Sequence, residues 1–131
     1  SRVKYPGRVG VYFGFNGSLA RKTYAGSDLF LMPSATEPCG LSQMIAMRYA
    51  CVPIVNPVGG LKDTVNDCRL GSGNGFLMGR YHGDELLNTL DDALKLYADK
   101  KNWNLLRKYA ASCDNSWSKS AKQYQELYKR I

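Results

Sequence analysis

Four consecutive apolar residues, Val52–Val55 (VPIV), follow two comparable runs, Val9–Phe13 (VGVYF) and Leu29–Met32 (LFLM). A strand with one wet face alternates apolar and polar residues. Runs that are apolar at neighbouring positions instead read as strands covered on both faces, the situation of a parallel sheet between helices. Each run leads into a turn and then a helical pattern. Asn16–Ser18 supply turn and cap chemistry for a helix over Leu19–Ala25 that Gly26 ends. Residues 41–49 place Leu41, Met44, Ile45 and Tyr49 on one helical face, and Pro57–Gly60 turns the chain into a short helix over Leu61–Val65. The alternation predicts an α/β fold: a Rossmann-like parallel sheet flanked by helices.

Beyond this unit, Gly71–Gly75 (GSGNG) is a loop. It lacks the spacing and following helix of a phosphate loop, and leads to a short strand over Phe76–Met78. From Asp84, which is placed to cap it, the chain is helical: Leu86, Leu90, Ala93, Leu94 and Tyr97 form an apolar stripe. Trp103, Leu106 and Ala110 mark a second helix. Trp117, Ala121, Tyr124 and Tyr128 mark a third, opened by Asn115 or Ser116, whose aromatics read as core or as docking surface.

The 131 residues suffice for one domain, 1–131, able to bury about two-thirds of its extended surface. No apolar run is long enough to span a membrane, and no basic segment leads an apolar leader. Cys39, Cys51, Cys68 and Cys113 are too scattered for redox pairs or clustered zinc ligands. With His82 the only histidine, neither a metal nor another cofactor is expected; the cysteines read as thiols in a reducing compartment. The net charge of +7 is dispersed over Arg2, Lys4 and Arg8, Arg21 and Lys22, Lys100 and Lys101, Lys129 and Arg130. Without an aromatic-interleaved patch this argues against nucleic acid and suits a phosphate-bearing small ligand or an acidic partner segment.

Ligands of open parallel sheets gather at the carboxyl ends of strands, where residues 33–40 lie. Glu37 is the one carboxylate between that strand and the next helix. Gly40, Leu41 and Ser42 begin the helix, so their N–H groups lack intrahelical partners and suit an anion. Gly40 permits close approach, and the Ser42 hydroxyl adds a donor. Local physics equally allows Glu37 to be a favourable charge at a helix start and Ser42 an ordinary first-turn residue.

The segment FLMPSATEPCGLSQMIAMRYACVPIVNPVGGLKDTV resembles the signature of the starch and glycogen synthases, in Glu37–Leu41 (EPCGL), Ala46–Tyr49 (AMRY) and Gly59–Val65 (GGLKDTV). Gly14-Phe15, Ala25–Asp28 and Trp117–Tyr128 extend the likeness over most of the chain. The resemblance implies the later part of the nucleotide-sugar-binding C-terminal domain of a GT-B protein, two Rossmann-like domains facing across a cleft. Its N-terminal domain, and the basic residues that grip the diphosphate, are absent from this sequence. It further implies a retaining transfer that extends α-1,4-glucan from ADP-glucose or UDP-glucose, in a bacterial cytoplasm or a plant plastid.

Carried over by position, Glu37 holds the donor sugar as the catalytic carboxylate. Cys39 and Gly40 line the sugar pocket, Leu41 and Ser42 stand at the diphosphate, and Phe15 packs against the nucleobase. The sequence departs from the family pattern at Ala35 and Thr36, where an arginine and an aromatic are usual, at Ala50-Cys51 for Gly-Thr, at Asn56 for arginine, and at Arg21-Lys22 for a His-Arg pair. Ile45 stands where paired-glutamate relatives have a second glutamate, which argues against another GT-B transferase. A non-catalytic glucan-binding module is the alternative from a different class.

Overall fold

A computed structural model describes residues 4–130; Arg2, one of the dispersed basic residues, lies outside them. The sheet is three-stranded and parallel, in the order β1 (Leu29–Met32), β2 (Val52–Val55), β3 (Phe76–Leu77). Leu29 pairs with Val52 and Met32 with Val55, while Ile54 and Val55 pair with Phe76 and Leu77. Six α-helices surround it among the described residues: α1 (Gly17–Gly26), α2 (Ser42–Arg48), α3 (Gly59–Thr64), α4 (Gly83–Ala98), α5 (Lys100–Ser112) and α6 (Trp117–Tyr128). The α/β class expected from the alternating pattern is the observed one.

Strand β2 is buried at every residue, and its two faces seed two cores. Val52 and Ile54 join Phe76, Ala93, Trp103 and Leu106 beneath α4 and α5. Val55 joins Leu61 and Val65 on the α3 side, with Met32 and Leu77 against them. That division is the period of two of a strand, and it explains why VPIV has no polar position.

Polar staples close the loops around these cores. Asp67 accepts hydrogen bonds from the Arg69 guanidinium (2.6 Å), the Arg69 N–H (2.9 Å) and the Leu77 N–H (3.2 Å). Arg69 also reaches Asp92 on α4 (2.9 Å) and the Leu77 carbonyl. Burial by itself pushes the Asp67 carboxyl up, but the bonds from Arg69 and Leu77 together pull it below the usual carboxylate range.

Three local expectations are corrected. Val9–Phe13 forms no strand: the segment is irregular and Phe13 is 91% exposed. A strand's N–H and C=O groups need a lateral neighbour, and β1, the near edge of the sheet, pairs only with β2. On α2 the buried residues are Gln43, Ala46 and Met47, whereas Leu41, Ile45 and Tyr49 are exposed. Periodicity located a stripe, and the small Ala46 lets the neighbouring face approach the sheet more closely. His82, not Asp84, is the N-cap of α4, its Nδ1 accepting from the Asp84 N–H at 3.4 Å, and Leu94 of the expected stripe is exposed while Thr89 is buried. The aromatics of α6, read as core or docking surface, are exposed: α6 buries no residue and Trp117 is 89% exposed; Ser116, one of the two expected caps, accepts from the Lys119 N–H.

Candidate functional site

The segment between β1 and α2 emerges at the carboxyl end of β1, as the strand-turn-helix pattern requires. Its course is fixed by contacts from both sides. At its start, the buried Asn56, the residue after β2, donates from Nδ2 to the Ser34 carbonyl (2.9 Å). Asn56 therefore spends its amide on the loop, at a position where an arginine would project charge. At its end, Gly40 is buried with φ +73°, a left-handed conformation that costs other residues about 1–2 kcal/mol.

In between, the loop presses against the start of α3. A Cβ on Gly59 (φ +47°) would collide with the Glu37 carbonyl oxygen, and one on Gly60 with the Cys39 carbonyl. The Gly-Gly pair is thus the floor on which Glu37–Cys39 lies. It couples the turns that follow β1 and β2 into one surface at the carboxyl edge of the sheet.

Glu37 is half-buried in this turn. Cys39 is exposed, its Sγ 3.9 Å from the Gly40 carbonyl. Leu41 is exposed and caps α2 without a side-chain hydrogen bond; Ser42, half-buried, is the first residue of α2. These five residues share one turn. Phe15 is elsewhere: 97% exposed, it lines a cavity of about 300 Å³ with Tyr12, Leu19, Tyr24, Phe30 and Cys51, a group that includes none of Glu37–Ser42. Ser27 and Cys51 in that cavity stand at the amino ends of β1 and β2, opposite the Glu37 turn. Burial pushes the Cys51 thiol up to about 11, with Asp28 adding to the effect, so it is a packed thiol and a poor nucleophile.

The family model described as glycosyl transferases group 1 matches residues 4–111. The chain belongs to this family. Similar proteins include the glycogen synthase of Clostridium botulinum (strain Eklund 17B / Type B), 50% identical over 130 residues that make up 98% of this chain and 27% of the relative. The glycogen synthase of Fusobacterium nucleatum is 50% identical over 129 residues, 97% of this chain and 28% of that protein. Among solved structures, the catalytic domain of starch synthase IV from Arabidopsis thaliana, bound to ADP and acarbose, superposes with a TM-score of 0.81 at 41% identity, over 89% of this chain and 25% of that one. The chain thus spans about a quarter of the length of the relatives it matches, and its sheet and helices follow those of a starch synthase catalytic domain.

One residue beneath the Glu37–Ser42 turn has no functional signal in the sequence. Gln43 is completely buried, and its amide reaches back under the turn to the Gly40 carbonyl (2.7 Å) and across to Thr64 Oγ1 (3.0 Å). A polar residue on the side of a helix opposite its apolar stripe reads as solvated. Only the tertiary packing of α2 puts it inside.

Proposed function

We propose that this chain is the later part of the C-terminal, nucleotide-sugar-binding domain of a starch or glycogen synthase, a retaining transferase that extends α-1,4-glucan. The observation that carries the reading is the Glu37–Leu41 turn, laid on Gly59-Gly60 at the carboxyl edge of a parallel sheet, in a group 1 transferase whose relatives include glycogen synthases. The ADP and acarbose bound to the starch synthase favour ADP-glucose over UDP-glucose as donor and an α-glucan as acceptor. The N-terminal domain would supply the opposite wall of the cleft. Similarity to bacterial glycogen synthases and a plant starch synthase favours the cytoplasm in bacteria, or a plastid in plants, as its place of action. Among the described residues no helix is long and apolar enough to cross a membrane.

In this reading the acceptor 4-hydroxyl attacks the anomeric carbon on the face the diphosphate departs from, giving retention. The C–O bond to the phosphate breaks, the new glycosidic C–O bond forms, and the hydroxyl proton leaves with the departing phosphate. Negative charge grows on the leaving phosphate and positive charge on the sugar. Glu37 holds the sugar hydroxyls and faces the developing positive charge, a task of position and electrostatics. Cys39 and Gly40 wall the sugar, Gly40 leaving room that a side chain would fill, while Leu41 and Ser42 stand toward the diphosphate. Phe15 lies apart from this turn, and its nucleobase contact requires the ligand or the N-terminal domain to bring the 9–16 segment across.

The test is glucose transfer to glycogen by the full-length protein, from ADP-glucose and UDP-glucose separately. Glu37→Ala is expected to lower kcat at least about a hundredfold, the scale of a lost transition-state interaction, with ADP-glucose the better donor. A wild-type protein that binds glucan and transfers glucose from neither donor would establish the binding-module alternative instead.

A further inference from the structure

Gln43 presents an energetic question. Its amide lies wholly inside the protein, where a polar group is tolerated only if hydrogen-bonded. Nε2 meets the Gly40 carbonyl at 2.7 Å, Thr64 Oγ1 at 3.0 Å and, more loosely, the Cys39 carbonyl at 3.5 Å, while Oε1 is buried without a partner. The orientation follows from its neighbours. The single Thr64 hydroxyl proton goes to the Gly60 carbonyl (2.7 Å), so Thr64 Oγ1 accepts from Gln43, and Gly40 offers only a carbonyl. Turning the amide over would set an oxygen against two acceptors.

A continuous relay results: Gly40 carbonyl, Gln43 amide, Thr64 hydroxyl, Gly60 carbonyl. It ties the end of the Glu37 turn to the glycine pair beneath it. The fit is tight as well as bonded, because a Cβ on Gly40 would come within 2.6 Å of Gln43 Oε1 and 2.9 Å of Nε2. At the other end of the turn Asn56 holds the Ser34 carbonyl. Only Ala35–Pro38 is left between these two buried amides, and Glu37 is in that span. An apolar side chain of similar size would relieve the orphan Oε1 but leave the buried Gly40 carbonyl without its donor, so the amide is spent on holding the end of the Glu37 turn.

We infer that Gln43 is a positioning residue that, with Thr64, fixes the Glu37 turn in its working geometry. The inference rests on the reading of Glu37–Ser42 as the donor site. Because a misplacement on the order of 1 Å in a transferase turn lowers rate by up to about a hundredfold, loss of the relay acts on kcat. The unpaired Gly40 carbonyl also lowers stability, so the effect on the turn is read from kcat of the folded protein and from local exchange.

The experiment compares Gln43→Met, which keeps volume and removes the donor, with Thr64→Val and Thr64→Ser. Kinetics are measured in the full-length protein, and amide exchange at Cys39–Ser42 in the 131-residue chain. The expected result is a kcat about tenfold lower or more for Gln43→Met and Thr64→Val, with the glucan KM within about twofold. Thr64→Ser restores the hydroxyl and most of the rate. Exchange at Cys39–Ser42 quickens about tenfold more than exchange in α4 in the two impaired variants. An unaltered kcat and exchange in Gln43→Met would overturn the inference, as would a rate loss that Thr64→Ser shares, or exchange that quickens equally at Cys39–Ser42 and in α4. If wild-type protein transfers no glucose, the donor-site reading fails, and the exchange arm by itself decides whether the relay holds the turn.

Discussion

Two regions of the chain contrast. Residues 42–110 wrap β2, the Asp67–Arg69 staple and the Gln43 relay in continuous packing, with Ile54 and Ala93 fully buried. Residues 4–26 and α6 present Phe13, Phe15 and Trp117 almost wholly to solvent and bury no helical residue. Helices appear in both regions because their hydrogen bonds and caps are local, as Asn16 shows for α1 and Ser116 for α6. Between the two, strands appear only in the first, where a neighbour completes the ladder. The contrast separates what a segment forms by itself from what it forms with partners.

The sharpest way to break the comparison is to exchange one large residue in each region. Trp103→Ala is expected to cost about 3–5 kcal/mol in chemical denaturation, and Trp117→Ala less than about 0.5 kcal/mol. Equal costs would erase the distinction. Gly59→Ala introduces a Cβ against the Glu37 carbonyl at a left-handed φ. About 1–3 kcal/mol of strain follows, and chemical-shift changes should centre on Glu37–Gly40 and spare α6.

Asp67→Asn weakens the staple by about 1.5–3 kcal/mol, the worth of bonds to a charged group. The sign of its pH dependence follows from the lowered folded pKa. The contribution is complete above the unfolded carboxylate value of about 3.9 and is lost as pH falls through the folded value. Acid titration of the midpoint should therefore be flatter in Asp67→Asn than in wild type. The smallest effect has the opposite sign. Ala50 adopts φ +58° where its carbonyl accepts from Arg107 Nε (3.0 Å), and Ala50→Gly should gain about 0.5 kcal/mol, as relief of strain exceeds the entropy glycine adds to the unfolded chain.

Much of this molecule is legible in its sequence. Leu29–Met32 and Val52–Val55 are strands at the expected residues, since unbroken apolar runs have few other uses, and Glu37–Ser42 lies at the strand end that the alternation implies. Three features escape such a reading. Val9–Phe13 has strand composition without a ladder partner. The face of α2 is inverted because Leu41, Ile45 and Tyr49 are more apolar than the Gln43, Ala46 and Met47 side that packs. Gln43 is invisible for the same reason: its role arises from Thr64 and Gly60, residues distant in sequence that α3 brings beneath the turn. Ala50 departs from the family's Gly-Thr, and its positive φ gives that departure a physical meaning.

What matters most is whether the Glu37–Ser42 turn, on the packed region, receives the donor. The most direct test is titration of the isotopically labelled chain with ADP-glucose, following backbone amides by NMR. Saturable shifts are predicted at Glu37, Cys39, Gly40, Leu41 and Ser42, with Trp117–Tyr128 unmoved. Shifts confined to α6, or no change at Glu37–Ser42 at donor concentrations that saturate the full-length protein, would contradict that assignment.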